Sequence, residues 1–469
     1  MVDVKRSRLF ANLRGGILFL LLILLTVSSI IPAYGAEDAW SSAEAPPEES
    51  RVGSVYLLNL ENQLTLYEKQ ADEVIYPASA AKSMTGLLAC RTLESRAEET
   101  VEITAPMLAG SAGRSLGLVP GELLKISDLL MAAVCGSYND AACVVAFLSA
   151  GSVDAFVDMM NQEAKRIGAD HTVYRNPTGL HHPEMVTTAR DTALIACEAM
   201  KNELFMTLIS THAHVIAATN ASEARTISNR HALVSDTGGQ YYNGWCRGIN
   251  AGMTDEGGWC VVTLWEKDGA ANLSVVMNGT DVAVGETIPA YAYTNRLLSW
   301  AGRSYGYRTV LPATEALDTL SVAMTGTSRS QTDLFVPTDL RVYLPTHADL
   351  ATQVPLDYHL TDGGLTAPLK EGQTVGTVTV TYGGAVIGSS PVVVKEAFER
   401  NGFLNAMDRF KGYLCSRAFV ITAVVFVILL VIYLKYTTGP GRRYTTRETY
   451  HPPKRRNKKF RSLKKSRRP

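Results

Sequence analysis

The hydrophobic positions of this chain form two long unbroken runs, one near each end, with shorter patterned stretches between them. Val52–Leu60 mixes apolar residues with Ser and Asn in a strand-like way, and Leu64–Tyr67 reads as its hairpin partner. From Pro77 to about Leu93 the pattern turns helical, and helical patterning dominates to Met200, with stretches such as Leu123–Leu148 and Val153–Ile167. Strand-like segments return at His212–Ala217, Gly244–Ile249, Trp259–Trp265 and Leu273–Met277. Strands at both ends with helices between them predict an α+β domain, a sheet covered by helices. Near Tyr305 the pattern shifts to short β-branched strands with turn signals such as Asp362-Gly363-Gly364 and Tyr382-Gly383-Gly384, which predicts a separate small β-domain reaching Lys395. Glu396–Lys411 sets Phe398, Phe403, Leu404 and Phe410 among charges and reads equally as an interfacial segment or as a plain linker helix. No internal repeat is visible.

The two apolar runs have different flanks. Lys5, Arg6, Arg8 and Arg14 precede Ile17–Ile31, Pro32 breaks the run, and Ala33-Tyr34-Gly35-Ala36 offers small residues for cleavage, the pattern of an export signal. Ala418–Leu434 carries no charge and, at about 17 residues and about 25 Å of rise, sits at the lower limit of a spanning helix. Tyr413, Leu414 and Cys415 extend it if Arg417 snorkels. The chain beyond is densely basic, with Arg442, Arg443, Lys454, Arg455, Arg456, Lys458, Lys459 and more, and such charge is retained on the cytoplasmic side. The expected topology is a single-pass membrane protein with its body outside and its tail inside. Formal net charge is zero, so the body is acidic overall, which argues against nucleic acid as its partner. The seven cysteines are scattered, and no Cys/His spacing suits a metal; neither a metal nor an organic cofactor is expected.

Ser79-Ala80-Ala81-Lys82 opens the first predicted helix just after Pro77. A spacing of i, i+3 puts hydroxyl and amine on one face, and a lysine desolvated in a cleft can take the serine proton. Ser137-Tyr138-Asn139 supplies a second hydroxyl to relay a proton and an amide to hold a peptide group. S-x-x-K and S-x-N in this order belong to the motif set of β-lactamases and penicillin-binding proteins. The surrounding residues resemble the D-alanyl-D-alanine carboxypeptidase family: Tyr76–Thr85 is similar to its nucleophile motif, Asn176-Pro177-Thr178-Gly179-Leu180 with Thr188–Asp191 to its loop and following helix, Gly248–Cys260 to its third motif and hairpin, and Leu365–Leu369 with Gly372–Gly376 to its C-terminal β-domain.

The resemblance implies a penicillin-binding transpeptidase/β-lactamase-like catalytic domain with a small C-terminal β-domain and a transmembrane helix. It also implies a peptidoglycan stem pentapeptide as substrate and β-lactams as covalent inhibitors. Ser79 would be the nucleophile, Lys82 its base, Ser137 a member of the proton path, and Asn139 the holder of the substrate amide. The backbone N–H groups of Ser79 and Met253 would bind the oxyanion. The third motif departs from the family: Lys-Thr-Gly aligns with Asn250-Ala251-Gly252, so the cation and hydroxyl that help bind the terminal carboxylate are absent, while Gly252 keeps backbone room. Arg247, three positions before Asn250, points to the opposite side of a strand and is a poor substitute. An active carboxypeptidase is expected; the alternative is a weak homologue that binds stem peptides or acts as a scaffold, and a β-lactamase is a more distant third. The expected organisation is a signal peptide at 1–36, a flexible linker at 37–51, the catalytic domain at 52–303, the β-domain at 304–395, a juxtamembrane segment at 396–412, the transmembrane helix at 413–434 and the basic tail at 435–469.

Overall fold

A computed structural model describes residues 45–235, 237–326 and 330–437; the expected export signal and all but the first three residues of the basic tail lie outside the described residues. The chain enters as a strand pair, Val52–Asn59 (β1) and Thr65–Lys69 (β2), then builds a helical region from Lys82–Leu93 (α1), Ile126–Val134 (α2), Asn139–Ala150 (α3), Val153–Ile167 (α4), Ala189–Ala199 (α5) and Glu203–Ser210 (α6). It returns through Cys246–Thr254 (β3), Gly258–Lys267 (β4) and Ala270–Gly279 (β5), and leaves by Pro289–Ser304 (α7). These strands make one antiparallel five-stranded sheet in the order β2-β1-β5-β4-β3. The inner strands are covered on both faces, which is why the middle of β4, Trp259 to Trp265, is buried without interruption. One face packs against α1–α6 through residues such as Met84, Phe156, Ile249, Val262 and Leu273. The other packs against α7 through Tyr291, Leu297 and Trp300 against Val261 and Val276.

Three sequence-derived boundaries move, each for a physical reason. The helical stretch Leu123–Leu148 is cut between α2 and α3 by Cys135–Tyr138, where Ser137 takes φ of +55° and no helix can continue. The predicted strand His212–Ala217 becomes Ala213–Ile216, paired only with Arg225–Ser228 in a separate ribbon. The predicted strand Gly244–Ile249 shifts to Cys246–Thr254 and so carries the third motif on a sheet edge, with an irregularity between Gly248 and Asn250.

Beyond α7 lie Tyr305–Leu311 (β6), Asp318–Ala323 (β7), Gln331–Phe335 (β8), Leu340–Pro345 (β9), Leu356–Leu360 (β10), Leu365–Thr366 (β11), Thr374–Tyr382 (β12) and Ala385–Val394 (β13). They form a six-stranded sheet ordered β10-β12-β13-β8-β7-β11 and a β6-β9 pair around their own apolar core. The β6-β9 pair ties this core to the first: Tyr305 donates to Leu66 O at 3.0 Å and Asn62 Nδ2 to Tyr343 O at 2.7 Å.

The described chain ends in two helices, Gly402–Leu414 (α8) and Arg417–Thr437 (α9). Phe403, Met407, Phe410 and Leu414 are exposed on α8 at the spacing of a single stripe. An 18-residue window within the 21 residues of α9 has a mean hydropathy of 2.7, and none of that window is buried inside the described protein. A helix apolar on every side that buries none of its apolar residues is long enough, at about 1.5 Å per residue, to cross a bilayer.

Candidate active site

The turn that carries Ser79 is held in place from outside. Ala78 has φ of +44°, a conformation costly for a residue with a Cβ, and Ser79 follows in a 3-10 turn, Ala78–Ala81, that runs directly into α1. Lys82 is therefore one tight turn on, where i and i+3 eclipse. The loop Asn176–Leu180 braces this turn. Asn176 Oδ1 accepts from Thr178 N at 3.1 Å, Thr178 Oγ1 at 2.9 Å and Gly179 N at 2.8 Å, and Nδ2 donates to Leu180 O at 2.9 Å. Gly179 has φ of +80°, and a Cβ there would stand 1.9 Å from Ala78 O, so only glycine lets the loop approach this closely.

The same loop receives the lysine. Lys82 Nζ donates to Thr178 O at 2.6 Å, and Thr85 Oγ1 to Pro177 O at 2.7 Å. Lys82 is 4% exposed and has no carboxylate partner among the described residues. Burial pushes its ammonium down to about 7; Arg114 and Arg230 push the same way, against an opposing effect of Cys143. A lysine near neutrality is half amine at physiological pH, the state a base requires.

Ser137 and Asn139 flank the start of α3, and both are buried. Asn139 Nδ2 donates to Ala112 O at 2.6 Å and Asn139 N to Arg114 O at 2.7 Å, so this residue also holds the loop that crosses the second motif. The neighbouring Asp140 organises the rest of that loop. Its carboxylate accepts from Ser115 Oγ at 2.6 Å and from the amides of Leu116, Gly117 and Leu118 at 3.0, 2.9 and 3.1 Å.

Strand β3 closes the other side. A Cβ on Gly252 would stand 2.3 Å from Ser79 Oγ, so the strand lies directly against this hydroxyl. Alternation along the strand puts Asn250 on the same face as Gly252 and Ala251 on the opposite one, where Ala251 packs into the core under α7. Asn250 is 5% exposed, and its Oδ1 has no hydrogen-bond partner among the described residues. Met253 packs its half-buried side chain on the α7 side and leaves its backbone beside the site. Arg247 is turned toward Glu266, with Nε 3.5 Å from Oε2. His231 is buried behind β3, with Nε2 3.0 Å from Thr263 Oγ1, and burial lowers its pKa to about 4.

Two cations that the motifs do not announce stand beside these groups. Arg114 Nε donates to Gly136 O at 2.9 Å, and its guanidinium lies 4.4 Å from the centre of the Tyr138 ring. Arg230 donates its amide to Cys135 O at 2.9 Å and carries its guanidinium 5.7 Å from the Trp259 ring. The nearest sequence signal was indirect: a third motif without its lysine calls for a cation from elsewhere, but nothing local marks these two arginines. Among the described residues no group of three or more His, Cys, Asp or Glu is placed to hold a metal ion.

A serine beside a desolvated lysine, a second serine and amide on the neighbouring wall, and an edge strand against the nucleophile make up the penicillin-recognising serine acyl-transfer class. The family described as D-alanyl-D-alanine carboxypeptidase matches residues 41–281, and that described as penicillin-binding protein 5, C-terminal domain, matches residues 305–400. The chain belongs to the D-alanyl-D-alanine carboxypeptidase family. It is 25% identical over 385 residues to a D-alanyl-D-alanine carboxypeptidase of Bacillus subtilis, covering 81% of this chain and 93% of the relative. It is 27% identical over 416 residues to one of Escherichia coli, covering 86% and 96%. Its fold is similar to the crystal structure of penicillin-binding protein 5 from Haemophilus influenzae, with a TM-score of 0.57 at 22% identity, over 76% of this chain and all of that one.

Proposed function

We propose that the protein is a serine-type D-Ala-D-Ala carboxypeptidase that removes the terminal D-Ala from peptidoglycan stem pentapeptides. The observation that carries this reading is the buried Lys82, unpaired with any described acid, one tight turn from a serine pressed against β3. Lys82 as amine takes the Ser79 proton, with Ser137 in the path, and Ser79 Oγ attacks the carbonyl of the penultimate D-Ala. The backbone N–H groups of Ser79 and Met253 hold the oxyanion, and Asn139 holds the substrate amide. The same proton leaves with the amine of the released D-Ala. Water then attacks the ester, Lys82 again accepting the proton, and free Ser79 returns. A β-lactam enters by the same attack and remains as a covalent adduct.

The experiment is incubation of the purified protein with a stem pentapeptide and mass analysis of the products. Free D-Ala and a tetrapeptide are expected. A second reading, a weak homologue that binds stem peptides, is favoured by Asn250 and Ala251 standing where the family has Lys and Thr. Slow acylation by penicillin with no tetrapeptide formed would select it.

Residues 1–36 act in this reading as an export signal and 37–51 as a linker; 52–303 carry the chemistry, 304–395 form the β-domain, and the membrane-proximal segments at 396–412 and 413–434 hold both outside the cell membrane, with 435–469 in the cytoplasm. Support comes from α9 and from the basic residues that follow it. Protease added to intact, wall-stripped cells is expected to degrade the body and spare an epitope placed at the basic tail. A protected body with a cleaved tail would reverse this topology.

A further inference from the structure

Arg114 and Arg230 are anchored on adjoining carbonyls of one turn, Arg114 through its side chain and Arg230 through its backbone amide. Arg114 is fastened to Gly136 O and Arg230 to Cys135 O, immediately before Ser137. Neither has an acidic partner within ion-pair distance among the described residues, although every other arginine from Arg91 to Arg247 is matched with Glu or Asp at that distance, as Arg91, Arg166 and Arg190 are. Their charges are close enough for Arg230 to lower the pKa of Arg114, whose partial burial acts in the same direction and more strongly. Two like charges held together, with no counter-ion among the described residues, raise the local positive potential and favour an anion between them.

The fixing of Arg114 is specific. Nε is spent on Gly136 O, Cζ lies 4.4 Å from the centre of the Tyr138 ring, and neither Nη atom has a hydrogen-bond partner among the described residues. Its backbone is also pinned, since Arg114 O accepts from Asn139 N and the preceding Ala112 O from Asn139 Nδ2. A guanidinium oriented in this way presents parallel N–H groups suited to a carboxylate. Opposite, the position that would carry a cation on β3 holds Asn250, buried and with its Oδ1 unpartnered.

We propose that Arg114, with Arg230, grips the terminal carboxylate of the substrate and so relocates to the second-motif wall the cation that β3 lacks. This rests on the carboxypeptidase reading above for the identity of the anion. Arg114 is a specificity-determining residue here, not part of the proton path: it distinguishes a peptide ending in a free carboxylate from one ending in a neutral group. A charge-assisted hydrogen bond of this kind corresponds to roughly tenfold or more in rate.

The test uses the full-length protein in detergent and two peptides identical except for the C-terminus, one a D-Ala-D-Ala acid and one its amide. Arg114→Gln is expected to lower kcat/KM for the acid about tenfold or more and for the amide less than about threefold, so the acid/amide ratio collapses. Arg114→Lys is expected to restore much of the ratio. Parallel loss on both peptides, or no loss on either, would overturn the proposal, because a structural role through the Asn139 loop does not discriminate between the two ends. Should the wild type release product from neither peptide, the same ratio is read from acylation by benzylpenicillin and by its methyl ester. An Arg114-dependent preference for the acid then upholds the grip while removing the carboxypeptidase reading; an Arg114-independent rate removes the grip.

Discussion

Ser79→Ala is expected to lose all covalent labelling by a fluorescent penicillin and all release of D-Ala, while its thermal unfolding stays within a few degrees of the wild type. In the proposed mechanism this hydroxyl is the atom that forms the acyl bond, and no other described group of the cleft takes that part. Lys82 lacks the geometry to act in its place, because its amine is tied to Thr178 O on the bracing loop. The fold should tolerate the change: the turn around Ser79 is held by the Ala78–Gly179 approach and the hydrogen bonds of Asn176, none of which uses the serine side chain. Undiminished labelling of this variant would place the nucleophile elsewhere and sink the assignment.

The second large effect concerns pH. With the ammonium of Lys82 pushed down to about 7 by burial, the base is protonated in acid and free above neutrality. The sign follows directly: the rate of penicillin acylation should rise with pH, pass half its maximum near pH 7 and level off above, losing about tenfold per unit on the acid side. Lys82→Ala should lower acylation by roughly 10²–10⁴-fold and flatten that limb, since a general base contributes about this much. A wild-type profile that is flat from about pH 5 to 9 would show that Lys82 is not the titrating base. The His231 imidazole is a poor alternative source of the limb, being buried behind β3 and lowered to about 4.

Much of this site could be read along the chain because its chemistry is local. Ser79 with Lys82, and Ser137 with Asn139, each lie within one turn, and the covered sheet announces itself in the apolar run of β4. The parts that escaped depend on contacts between distant segments. Arg114 enters the site because Asp140 and Asn139 collect the loop from Ala112 to Leu118, more than twenty residues away along the chain. Arg230 arrives through a bond to Cys135, and no periodicity marks either arginine. Ala78 adopts a backbone that its residue type disfavours, and only the pressing loop accounts for it. The start of the last helix was also hidden: Ser416 Oγ accepts from Phe419 N at 3.2 Å and begins α9 afresh, so Tyr413 and Leu414 belong to α8.

The apolar helix α9, whose spanning window is wholly unburied and which meets its neighbour α8 through Tyr413 and Phe419, changes how catalytic strength should be judged. In the proposed topology, a domain tethered to a bilayer and facing a polymer fixed nearby does not search a volume. Its encounters are those of one reactant confined beside another, at an effective concentration set by the tether and reaching about the millimolar range for short links. Under such confinement a site with modest intrinsic affinity stays occupied, and tight binding would mainly slow departure from each processed strand. The replacement of Lys-Thr by Asn250-Ala251 is then tolerable in place, even where a short soluble peptide in dilute solution would register it as a defect.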